Sequence, residues 1–305
     1  MSENALFLQK PELLPAQLPQ LKALFGEFLP QYTPFFAGRA AEVPTEVHFS
    51  LLISPYLPLL PEVMRRIPKP AQLHFTSSGT DFLPQLREEA DLDGIRITAS
   101  AGVNAVSIAE HALGCMLTFA KNLHLYRDQQ QQRLWKRYWH QEIRGQHVCI
   151  IGMGHIGRAL AERCRAMGMQ VTGCVRSPRE EPLTDQLILF EALETALPAF
   201  DYVVLSLPLT QHTRGFFGQA LLTQMKPESV LINVARGALL DEEALTETLQ
   251  QKKIKGAALD VFSEEPLPDT HPFWALSNLL LTPHVAGTTQ HYMRNMFEIL
   301  ARQLP

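Results

Sequence analysis

Residues 147–168, HVCIIGMGHIGRALAERCRAMG, limit what this chain can fold into more than any other segment. An apolar run of strand length meets Gly152-x-Gly154-x-x-Gly157, and a helical pattern begins near His155. A strand that turns sharply into a helix needs each glycine for its own reason. Gly152 permits the tight turn, Gly154 lets a pyrophosphate approach the backbone, and Gly157 allows the helix to pack closely on the strand. The free N–H groups and dipole at the start of the helix favour negative charge. Three glycines at this spacing also occur in plain structural turns. The strand before them, the helix after them and the alternation downstream predict a dinucleotide-binding domain.

That alternation places strand-like runs at 147–151, 170–175, 201–207, 229–234, 256–262 and 279–282, with helical runs between them. The pattern is that of a parallel sheet wrapped by helices. Residues 1–98 are proline-rich, with short β-like runs at 47–53, 73–76 and 95–98, which predicts a small separate α/β domain. Between the two, a long helical pattern runs through Arg127 into the tract Gln129 to Gln132, expected to be solvated helix. The residues after His284 are enough for one helix returning to the first domain, and no appended regulatory domain is expected.

With 305 residues, 46% apolar and 19% charged, the chain can bury two cores. A net charge of −4 and scattered basic residues argue against nucleic acid or an anionic membrane as partner. Cys115, Cys149, Cys164 and Cys174 form no metal-ligand spacing, so they are expected to be reduced thiols, with no metal bound. The opening MSENALFLQK lacks the basic and apolar regions of an export signal. The apolar stretch 105–120 is interrupted by Glu110 and His111 and is shorter than the roughly 20 residues a bilayer requires. A cytoplasmic protein is the expectation.

The second strand of a dinucleotide domain usually ends on Asp or Glu when the cofactor is NAD. Here the run is Gly173-Cys174-Val175-Arg176-Ser177-Pro178-Arg179, with no carboxylate before Glu180. Arg176, Ser177 and Arg179 are suited to a 2′-phosphate, although arginines here could also be ordinary surface residues. NADP(H) is expected in preference to NAD(H), which remains possible.

Three strand ends supply polar groups able to do chemistry. VLINVARG brings Arg236, ALDVFSEEP brings Glu265 and LLLTPHVAG brings His284. Reduction of a keto acid needs a cation for the carboxylate and carbonyl, and a proton donor for the oxygen that becomes the alcohol. Each residue alone has a plain structural reading as ion pair, loop residue or structural histidine. Ligands of open α/β sheets bind outside the carboxyl ends of the strands, so all three should converge there.

On these residues the second half resembles the D-isomer-specific 2-hydroxyacid dehydrogenase family, which includes glyoxylate and hydroxypyruvate reductases. The likeness runs from about Ala99 to Gly287, through GMGHIG, LSLPLTQHTRG, MKPESVLINVARGALLDEEAL, GAALDVFSEEPLP and TPHVAG. It implies that Arg236 binds the substrate carboxylate and carbonyl, that His284 is the acid/base, and that Glu265 pairs with it. Asp260 would hold the nicotinamide side of the cofactor, and Leu207, Pro208 and Thr213 its ribose and phosphate path. The glycine-loop residues Met153, His155 and Ile156, together with Val234, Ala235 and Gly287, complete the implied cofactor contacts. In the first domain FTSSGTDF resembles the family's carboxylate-binding loop, with the N–H groups of Ser78 and Gly79 as donors. Val175 stands where NAD-dependent members carry a ribose-binding aspartate, in keeping with NADP(H). The first 70 residues match only in outline.

The resemblance also implies an architecture. A Rossmann-type, doubly wound parallel-sheet cofactor domain (99–284) is joined to a smaller flavodoxin-like α/β substrate domain (1–98, completed by a C-terminal helix, 285–305). A small 2-keto or 2-hydroxy acid would lie in the cleft between them, and closure would exclude water. The region 101–140 would form a homodimer. Two other functions share the scaffold. Formate dehydrogenases carry glutamine where Glu265 stands, and a nicotinamide-sensing corepressor would retain the same groups without turnover.

Overall fold

The computed structural model describes residues 3–55 and 57–304. The chain divides into two compact units, one running to Asn104 and resuming at Thr289, the other Ala105–Thr288. The structural divisions lie later than those expected at 98/99 and 284/285, by six and four residues. Val103 is buried in the first unit's core, and Val285 and Ala286 are bonded to Asp260 of the second, which accounts for the shift.

The first unit holds five parallel strands, β1 (Glu3–Leu8), β2 (Tyr32–Ala37), β3 (Leu51–Ser54), β4 (Gln72–Phe75) and β5 (Arg96–Ala99), in the order β2-β1-β3-β4-β5. This is the flavodoxin-like order. β1 and β2 were not expected from the sequence. The last four residues of β1 are all buried, so it lacks the alternation of a half-exposed strand. β2 contains Pro34, which is tolerated because β2 is an edge strand. The run expected at 47–53 contracts to β3. Helix Tyr292–Gln303 completes the core by burying Met296, Phe297 and Leu300. The Phe297 ring stacks on Phe7 and meets Phe25 edge-on at 5.0 Å between centroids.

The second unit is a seven-stranded parallel sheet: β6 (His147–Ile151), β7 (Gln170–Val175), β8 (Gln186–Leu189), β9 (Tyr202–Leu205), β10 (Val230–Asn233), β11 (Gly256–Leu259) and β12 (Leu279–Leu281). Its order, β12-β11-β10-β9-β6-β7-β8, winds outward from β6 in both directions and reverses between β6 and β9. That is the doubly wound Rossmann-type arrangement, with its ligand crevice at the reversal. β8, an edge strand, is additional to the six expected. The long helical region is two helices, Ala105–Ala120 and Leu123–Gln132, parted where Asn122 adopts φ 53. Asparagine tolerates that left-handed backbone better than most residues. Gln129 departs from the solvated tract expected: it is buried, and its Oε1 accepts the Lys136 N–H at 3.1 Å.

All four cysteines are free and buried. Burial pushes the thiols of Cys115, Cys164 and Cys174 up to about 12, and that of Cys149 well above its ordinary value. They are packing groups, not nucleophiles. Among the described residues no helix is long and apolar enough to cross a membrane, and no three His, Cys, Asp or Glu side chains cluster as metal ligands.

Candidate active site

β10, β11 and β12 are neighbours, and their register aligns Asn233, Leu259 and Leu281, so the chain leaves the sheet at one level three times. Arg236, Glu265 and His284 follow those exits. His284 Nδ1 lies 2.7 Å from Glu265 Oε2, while the other carboxylate oxygen accepts the Phe262 N–H at 2.9 Å. The carboxylate is thereby fixed, and it orients the imidazole with Nε2 turned away from the pair. The His284 side chain is 51% exposed, so a ligand can reach it.

The backbone that carries these groups is braced by residues whose role the sequence did not disclose. Asn233 is fully buried; its Oδ1 accepts the Ala235 N–H at 3.0 Å and its Nδ2 donates to the Arg236 carbonyl at 2.9 Å, which clips the turn that presents Arg236. Arg236 Nη1 donates to the Ala235 carbonyl at 2.7 Å. A Cβ on Gly237 would lie 1.9 Å from the Phe262 carbonyl carbon, so only glycine lets the turn after β10 touch the turn after β11. Glu242 accepts the Ser263 N–H at 2.8 Å and steadies the same turn. Asp241 at the head of helix Glu242–Gln250, a visible cap signal, was the available pointer to that segment.

The glycine loop has the form its spacing predicts. Gly152 takes φ 98, and a Cβ there would press on the Leu207 backbone at 2.8 Å. At Gly157 a Cβ would lie 2.1 Å from the Gly152 carbonyl oxygen. Around Gly154, in contrast, nothing lies within 4 Å of where a Cβ would be. Gly154 begins helix His155–Ala166, whose first turn has no side-chain cap. Open space in front of uncapped N–H groups fits a pyrophosphate.

Residues 113–286 match the family model described as D-isomer specific 2-hydroxyacid dehydrogenase, NAD binding domain. The chain belongs to this family. A glyoxylate reductase from Thermococcus gammatolerans is 35% identical over 71% of this chain and 67% of its own length. Longer relatives, two archaeal D-3-phosphoglycerate dehydrogenases, are matched over only 42% and 40% of theirs. A family member of known structure from Aeromonas salmonicida superposes with a TM-score of 0.84 at 29% identity, covering 99% of this chain and 94% of that one. Another, from Xanthobacter autotrophicus in complex with NADPH and MES, is 33% identical with a TM-score of 0.58, over 61% and 77% of the two chains.

As in any member of this 2-hydroxyacid dehydrogenase family, the second unit is an NAD(P)-binding domain. Several residues expected to touch the cofactor have structural tasks of their own here. Asp260 is buried and its carboxylate accepts from Thr282 Oγ1 at 2.5 Å and from the N–H groups of Val285 and Ala286 at 3.0 and 2.9 Å. Its carbonyl takes the His284 N–H at 2.8 Å, with His284 itself in the left-handed region at φ 53. Asp260 therefore sets the turn that presents the imidazole. Thr213 Oγ1 closes the loop onto the Pro208 carbonyl at 2.8 Å, while Leu207, Val234 and Ala235 are buried. Met153 is buried too, Ile156 and Gly287 are half-buried, and His155 is exposed.

At the end of β7, Val175 is buried in the core, and Arg176 and Ser177 are exposed. Arg179 reaches the Met153 carbonyl of the glycine loop. In the first unit Ser78 and Gly79 follow β4 on a half-buried loop, where Ser77 Oγ donates to the Gly79 carbonyl at 2.9 Å.

Proposed function

We propose that this 2-hydroxyacid dehydrogenase family member interconverts a small 2-keto acid, such as glyoxylate or hydroxypyruvate, and its 2-hydroxy acid, with NADP(H) preferred over NAD(H). The observation that carries the reading is the His284–Glu265 pair at 2.7 Å, beside the strand end that presents Arg236. Arg236 has the permanent charge and planar fork that suit a carboxylate and its neighbouring carbonyl. With Nδ1 engaged by Glu265, His284 holds the transferable proton at Nε2. When bound, the reduced nicotinamide supplies a hydride to C2. His284 gives its proton to the carbonyl oxygen, and Arg236 steadies the charge that develops there. In the reverse direction a neutral His284 accepts the hydroxyl proton, so reduction and oxidation require opposite protonation states and their pH profiles should cross.

The glycine loop would seat the pyrophosphate, and the N–H groups of Ser78 and Gly79 are further donors for a substrate carboxylate. The NADP(H) preference is supported by Val175 in place of a carboxylate, by exposed Arg176 and Ser177, and by the NADPH complex of the Xanthobacter relative. A homodimer through 101–140 is supported by Trp135 and Trp139, which are 91% and 100% exposed in the single chain. Four free thiols fit a cytoplasmic location.

A panel of 2-keto acids assayed with NADPH and NADH tests the reading. We expect turnover of at least one short keto acid, with kcat/KM about ten- to a hundredfold higher for NADPH. Arg236→Lys should raise the keto-acid KM and lower kcat. Absence of turnover across the panel would refute the activity, and equal use of both nucleotides would refute the preference.

A further inference from the structure

Glu181 lies in the loop after β7, and its side chain is only 1% exposed. Its Oε2 accepts from Arg158 Nε at 2.9 Å and lies 3.4 Å from Arg179 Nη2. Its Oε1 is buried without a hydrogen-bond partner. Both arginines remain substantially open, at 51% and 42% exposure. Arg158 stands in the first turn of helix His155–Ala166, next to Gly157, and Arg179 also holds the Met153 carbonyl. One buried carboxylate therefore gathers two solvent-facing guanidiniums at the rim of the glycine loop.

A buried carboxylate is costly unless it is paired, and two neighbouring guanidiniums repel unless an anion lies between them. The cluster has a reason to exist if a second anion is to be met from outside. Two guanidiniums and one carboxylate leave one net positive charge. Arg158 meets Glu181 through Nε, and its side chain remains half exposed.

We infer that Arg158 and Arg179 together recognise the phosphate monoester on the adenosine ribose of NADP(H), and that Glu181 is the positioning residue that fixes them for it. The inference rests on the NADP(H) preference proposed above and adds two residues to it, Arg158 and Glu181. Arg179 is held in place before any ligand arrives, so less of its freedom is lost on binding.

Calorimetric titration with adenosine 2′,5′-bisphosphate and with adenosine 5′-monophosphate tests this without turnover. The wild type should bind the bisphosphate at least about tenfold more tightly than the monophosphate. Arg158→Ala should lose about ten- to a hundredfold for the bisphosphate and change the monophosphate little. Glu181→Gln keeps the shape and removes the charge that gathers the pair. It should weaken the bisphosphate by roughly three- to tenfold, again sparing the monophosphate. A melting curve for each variant identifies misfolding, and Arg158→Ala, at an exposed site, carries the test if Glu181→Gln does not fold. If the wild type does not distinguish the two nucleotides, the NADP(H) preference itself fails. If it does and both variants retain the full distinction, the preference stands and this inference is overturned. Tighter bisphosphate binding by Glu181→Gln would overturn the positioning role, because the carboxylate would then only repel the phosphate.

Discussion

After β4 the first unit braces its loop through His74, Ser100 and Tyr292, whereas after β11 and β12 the second unit uses carboxylates. Beneath the first loop, His74 is fully buried between Thr98 Oγ1 and Ser100 Oγ, each 2.9 Å from a ring nitrogen. Burial pulls its pKa down to about 4, so it is neutral near pH 7. Ser100 donates its N–H to the Ser77 carbonyl at 3.2 Å, and Tyr292 donates its hydroxyl to the Thr76 carbonyl at 2.7 Å. The second unit instead mounts its turns on the carboxylates of Asp260, Glu265 and Glu242. A loop proposed to offer the backbone N–H groups of Ser78 and Gly79 gains from a neutral histidine beneath it that does not compete for them. A turn that presents an imidazole gains from fixed charges that aim it, whereas the turn that presents the Arg236 guanidinium is clipped by the neutral Asn233 amide.

The sharpest test of that contrast is His284→Ala. On the proposed reading His284 is the general acid, so kcat should fall roughly 10²–10⁴-fold. Because the side chain is half exposed, the melting temperature should hardly move. Near-normal turnover would remove the chemistry from the charged turns altogether.

Gly237→Ala tests whether the turns must touch. A Cβ placed 1.9 Å from the Phe262 carbonyl carbon forces the turns after β10 and β11 apart. We expect about 3 kcal/mol of lost stability or more in urea titration, with activity lost in the fraction that stays folded. An unchanged urea midpoint would mean that the turns are free to separate.

The neutral frame makes its own prediction in acid. His74 titrates near 6.5 when unfolded and at about 4 when folded, so below 6.5 the unfolded chain binds a proton that the native one refuses. Its contribution is intact above pH 6.5 and is lost as pH falls toward 4, amounting to about 3 kcal/mol. Stability measured across that window should fall less steeply in His74→Gln than in the wild type. Parallel curves would show that His74 does not govern the acid limb. The smallest effect belongs to Tyr292→Phe, which deletes one hydrogen bond to the Thr76 carbonyl and should cost about 1 kcal/mol. A loss of several kcal/mol would mean that the hydroxyl anchors more than this loop.

Much of the second unit was legible because its signals are local. The glycine spacing announces a strand, a turn and a helix within a few residues, and VARG, SEEP and TPHVAG each follow an apolar run. The direct pairing of Glu265 with His284 came from the family resemblance, and the geometry supplies it. What stayed hidden depends on contacts between distant segments. β1 is too uniformly apolar to show a strand period, and Pro34 in β2 looks like a breaker until the strand is seen at a sheet edge. Nothing in the sequence near Gly237 reveals that Phe262 lies against it. Asp260 came from the family resemblance as a cofactor contact, and its commitment to Thr282, Val285 and Ala286 depends on the pairing of β11 with β12.

That commitment has a mechanical consequence. The amides of His284, Val285 and Ala286 all bond to one residue at the end of β11, so they cannot be released one at a time without loosening the others. The imidazole is thus carried by the sheet edge and not by a hinged flap. Thermal fluctuations that open surface loops leave its position alone, and the imidazole is misplaced only when the edge itself gives way.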